Sequence, residues 1–112
     1  MQYSINRDGL LPNEHETEAI DAKIGLSLGR FNNIISNCDI NFQMEKRNDG
    51  NIMRCHIHVV LNNNSDFVVS DSGKYKIESF RSALERIRRN IERHLKRQNI
   101  SRPSKSLGNR LS

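Results

Sequence analysis

The sequence predicts an α+β fold: a two-layer sandwich, β-α-β-β-β-α, in which a four-stranded, mostly antiparallel sheet carries both helices on one face. Apolar residues recur every three or four positions over 20–35 and again over 77–95, while the runs between them alternate apolar with polar side chains. Each helix has a single apolar face, so both must cover the same side of the sheet.

Near the start, Tyr3 and Ile5 alternate with Gln2, Ser4 and Asn6, which suits a short first strand before an Arg7-Asp8-Gly9 turn. Asn13 precedes Glu16 by three residues, the spacing of a capping box, so a helix should begin there. Ile20, Ile24, Leu28, Phe31 and Ile35 place one stripe on that helix and carry it to about residue 35. Gly25 and Gly29 would each weaken it by about 1 kcal/mol relative to Ala.

The period then changes to two. Cys38, Ile40, Phe42 and Met44 face one way, and after Arg47-Asn48-Asp49-Gly50 so do Met53, Cys55, Ile57, Val59 and Leu61. With Asp49-Gly50 at the centre of the turn, Met44 meets Cys55, Phe42 meets Ile57, Ile40 meets Val59 and Cys38 meets Leu61, while Glu45 faces Arg54. Asn62-Asn63-Asn64-Ser65 turns the chain into a further strand through Phe67 and Val69, and 71–74 reads as a loop. Ile77, Phe80, Leu84, Ile87, Ile91 and Leu95 define a long amphipathic helix over 76–98. A single domain over 1–99 and a basic tail over 100–112, rich in Ser, Arg and Asn, complete the division.

Composition narrows the function classes. Hydrophobic residues make up 35% and aromatics 5%, with no Trp, which limits the chain to one modest aliphatic core. No apolar run is long enough to span a membrane and the first residues do not form a signal peptide, so a cytoplasmic protein is expected. Cys38 and Cys55 lack C-x-x-C spacing and read as buried free thiols. The net charge of +5 is unevenly placed: residues 77–112 hold ten Lys or Arg against three acids, Glu78, Glu85 and Glu92. A polyanionic partner follows from that imbalance.

Seven of those cations, Arg81, Arg86, Arg88, Arg89, Arg93, Lys96 and Arg97, lie on the second helix and occupy about half its circumference. The bland reading is a solvated face with i,i+4 pairs from Glu85 to Arg89 and from Glu92 to Lys96. The excess of cations favours nucleic acid, for which the guanidinium fork is suited. His56-x-His58 could chelate a metal, yet no further ligands accompany it, and an exposed His pair is ordinary surface. No nucleophile elbow, phosphate loop or paired carboxylate stands out, so neither an enzyme, a cofactor nor a small-molecule substrate is expected.

Three segments, LSLGRFNNIISNCDINFQMEK, NIMRCHIHVVLNNNSDFVVSD and YKIESFRSALERIRRNIERHLKRQ, resemble the bacterial ribosome hibernation-promoting factors, also called ribosome-associated inhibitor or sigma-54 modulation proteins, across residues 17–98. The resemblance implies a fold like double-stranded-RNA-binding domains, and docking on small-subunit ribosomal RNA where messenger and transfer RNA would sit. It also implies RNA contacts from Lys23 and Arg30 on the first helix and from Arg81, Arg88, Arg89, Arg93, Lys96 and Arg97 on the second. The chain is similar to the short members of that family. It departs from them at Lys74, where an acid is usual, and in a first helix made acidic by Glu14, Glu16, Glu18 and Asp21. A generic structured-RNA module, or a protein-interaction module for an acidic partner, are the alternative readings.

Overall fold

A computed structural model describes residues 2–6 and 9–101, the side chains of 99–101 excepted. Strand β1 (Tyr3–Ile5), helix α1 (Glu14–Leu28), strands β2 (Ile35–Arg47), β3 (Gly50–Leu61) and β4 (Asp66–Gly73), and helix α2 (Lys76–Ser101) follow in that order. The sheet order is β1-β2-β3-β4, with β1 parallel to β2 and the other pairs antiparallel. The basic tail expected over 100–112 lies mostly outside the described residues.

One core lies between the layers. Ile20, Ile24 and Leu28 of α1 and Phe80, Leu84, Ile87 and Ile91 of α2 meet Cys38, Ile40, Phe42, Cys55, Ile57, Val59 and Val69 of the sheet. The stripes read from the sequence are therefore the faces that the helices bury.

Local rules set the start of α1. Asn13 accepts from the Glu16 amide at 2.7 Å while its own amide donates to Glu16 Oε1 at 2.8 Å, satisfying two donors that the first turn leaves free. The helix ends at Leu28, seven residues short of the expected end. A single 3-10 turn, Gly29–Phe31, follows, and Asn62 pins the bend by donating its side chain to the Asn33 carbonyl at 2.7 Å and its amide to the Ile34 carbonyl at 2.8 Å. Ile35 opens β2 opposite Leu61, so it joins the core from the sheet. Gly25 alone of the two glycines lies within the helix.

The β2–β3 register differs from the expected one by two residues. Cys38 pairs with Val59, Ile40 with Ile57, Phe42 with Cys55 and Met44 with Met53, and the two-residue turn is Asn48-Asp49, closed by Arg47 opposite Gly50. A slip of two leaves every side chain on its face, which is why the core is unaffected. Gly50 takes φ +129°, a conformation that glycine adopts at little cost. Glu45 stands opposite Ile52, yet Arg54 still reaches its Oε1 at 3.3 Å. Beyond Met53, which pairs with Gly73, the hairpin continues with two strands only, and Met44 is 48% exposed where a core position was expected. Strand β4 likewise runs through Asp71–Gly73, the stretch read as a loop.

Candidate nucleic-acid interface

The two helices run side by side in the same direction. Lys76 Nζ of α2 lies 3.8 Å from Glu16 Oε1 of α1, Lys23 shares a hollow with Arg81, and Arg30, just past α1, pairs with Glu92, three links in the same order along both segments. Their parallel course opens a seam on the side away from the sheet. One end is a hollow of about 330 Å³ lined by Lys23, Leu26, Ser27, Arg81, Leu84 and Glu85. The other is a groove of about 510 Å³ lined by Arg30, Phe31, Arg89, Glu92, Arg93, Leu95 and Lys96.

Glu85 and Glu92 do not form the ion pairs with Arg89 and Lys96 that the sequence suggests. Arg88 donates Nε to Glu85 at 3.2 Å and Nη1 to Glu92 at 2.9 Å, so both carboxylates converge on one guanidinium. The hydrogen bond from Arg88 holds the Glu85 carboxyl below its usual range and raises Arg88 in turn, so the pair stays ionised. Glu92 also takes Arg30, which was expected on the first helix but sits in the 3-10 turn that follows α1. Among the described residues this leaves Lys23, Arg81, Arg89 and Lys96 without a hydrogen bond or close ion pair, although the charge of Arg89 still acts on Glu85.

The eight cations named from the sequence therefore divide. Lys23 and Arg81 share the hollow, and Arg30, Arg89, Arg93 and Lys96 share the groove. Arg88 lies beside the seam but is held by its two acids. Arg97 lies on the opposite flank of α2, next to Phe67 of β4. Arg86, also on that flank, donates to the Ser70 carbonyl at 3.1 Å.

Sequence reasoning missed two features of the seam. The Arg30 guanidinium lies over the Phe31 ring, 4.7 Å from its centre, a cation–π contact that steadies the cation at the rim. Leu26, 88% exposed, stands beside Lys23 and Arg81. Adjacency of Arg30 and Phe31 was a readable signal for the first, but only the packed helices place it opposite Glu92.

On the outer sheet face His58 Nε2 lies 2.9 Å from Asp66 Oδ2, and His56 stands between Asn41 and Ser70 in the ladder. Among the described residues no three His, Cys, Asp or Glu side chains converge as metal ligands, and no helix is long and apolar enough to cross a membrane. Cys38 and Cys55 are buried free thiols, each pushed up to about 12 chiefly by burial.

This arrangement of four strands and two helices matches the crystal structure of the Thermus thermophilus Protein Y N-terminal domain, with a TM-score of 0.58 over 82% of this chain and 94% of that one. The two share a fold. Their sequences are 14% identical, so the likeness is one of backbone architecture. No family model and no curated protein matches the chain. The Protein Y domain thus bears out the α+β reading of the sequence.

Proposed function

We propose that this chain is a non-enzymatic, cytoplasmic ribosome-binding factor of the hibernation-promoting kind. Its seam lies against small-subunit ribosomal RNA, and messenger and transfer RNA are excluded by occupancy. One observation carries the reading: Glu85 and Glu92 are gathered by Arg88, so Arg89 and Lys96 remain available in a groove that Arg30 closes from the turn after α1. Lys23 and Arg81 continue the same charge along the seam. An RNA backbone is the polyanion that fits a row of separated cations between two helices, and recognition would be of phosphate positions and helix shape more than base sequence. The sequence segments that resemble the hibernation factors, together with the fold that this resemblance implied, support the same reading.

Sedimentation with purified ribosomal subunits across a salt series tests it. The chain should travel with the small subunit at low salt and leave it as salt rises. Absence from that fraction at low salt would defeat the ribosomal role, and equal affinity for free duplex RNA would reduce it to a generic RNA module.

A further inference from the structure

The flank of α2 that faces β4 holds a second hollow, of about 260 Å³, lined by Phe67, Asn90, Arg93, His94 and Arg97. We propose that it takes one unpaired nucleotide of a bound RNA, the base against Phe67 and His94 and the phosphate on Arg97 and Arg93. The inference rests on the reading that the chain binds RNA and adds a site on the other flank of α2, with Arg93 lining both it and the seam groove.

Three observations converge there. Phe67 and His94 meet edge to face, with ring centres 5.3 Å apart and planes at 72°, so two ring systems form one wall. The Nε2 atom of His94 is buried and has no hydrogen-bond partner, a polar atom whose loss of water nothing in the described chain offsets. Arg97 is exposed and unpartnered among the described residues, while Arg93 donates to Asn90 Oδ1 and leaves the Asn90 amide hydrogens free to bond a base edge.

An aromatic pair at the edge of a core is common packing. What packing does not account for is a ring wall that meets a held amide and two guanidinium groups in one hollow. An acidic peptide would use the guanidinium groups and leave the rings idle, whereas an unstacked base uses both. The volume falls below the roughly 300–1,000 Å³ of sites that enclose whole small molecules, which suits one base with its phosphate at the rim.

Fluorescence anisotropy with two labelled probes tests the site: a blunt RNA duplex, and the same duplex with a short uridine overhang. The full chain should bind the overhang probe about tenfold more tightly, as one stacked base would give. Arg97→Gln and Phe67→Leu should each erase that preference and leave blunt-duplex affinity within about twofold. Because Phe67 also packs on the core, the surface variant Arg97→Gln decides if Phe67→Leu unfolds. Equal affinity of the unaltered chain for the two probes, or variants that weaken both probes alike, would overturn the proposal. Sedimentation separates the two failures: a chain that still travels with small subunits but ignores the overhang loses this site alone, and one that binds no RNA loses the proposed function as well.

Discussion

Replacing Arg89 and Lys96 together by Gln should flatten the salt dependence of RNA binding, while Arg86→Gln should leave it unchanged. All three are cations on one helix, so composition alone would rank Arg86 with the others. Geometry separates them, because Arg86 lies on the β4 flank and donates to the Ser70 carbonyl, while the other two are open to the groove. Four seam cations make no hydrogen bond or close ion pair among the described residues: Lys23, Arg81, Arg89 and Lys96. If each neutralises one phosphate, the logarithmic salt slope is about −3.6, taking about 0.9 per duplex contact. Binding then weakens about 150-fold between 50 and 200 mM salt, and only about 12-fold for the double variant. Anisotropy titrations at four or five salt concentrations measure the slopes directly. Equal flattening by Arg86→Gln and Arg89→Gln would show that net charge, rather than the geometry of the seam cations, governs binding, and would refute the argument.

Two further predictions concern the fold. Cys38 and Cys55 ionise near 12 when folded against an ordinary value of 9.0, so stability is intact below about pH 9 and is lost as pH rises toward 12. The slope should be about 1.4 kcal/mol per pH unit for each thiol, read from urea midpoints at increasing pH, and smaller in a Cys38→Ala, Cys55→Ala chain. Gly50→Ala, at φ +129°, should cost about 1–2 kcal/mol in urea unfolding, and an unchanged midpoint would contradict the turn geometry.

Local chemistry was legible wherever both partners lie within one turn. The capping box is an example, since Asn13 and Glu16 satisfy each other whatever the rest of the chain does. The alternating runs were equally clear, because a side chain's face depends only on parity. Register was not, since Asn48-Asp49 and Asp49-Gly50 both make hairpin turns and leave the apolar faces identical. Ile35 misled for a related reason: it extends the stripe of α1 by helical spacing and belongs to the core, but as the first residue of β2.

The site was legible as a list of cations and not as a surface. Glu92 could pair forward to Lys96 or back to Arg88, and the outcome is coupled to Arg30, more than sixty positions away in the sequence. Arg97 reads like its neighbours on a helical wheel, yet it falls on the far flank because β4 lies there. A wheel gives the angle around a helix, and the neighbouring elements decide which angles share a groove.

The two-stranded end of the β2–β3 hairpin makes stability uneven across the molecule. Paired with each other but with no third strand beside them, residues 45–52 should open and close far more often than the four-stranded part of the sheet. Their amide hydrogens would then exchange with solvent well before those of Ile40 or Ile57, and the ribbon could bend toward whatever it meets while the helix seam holds its shape.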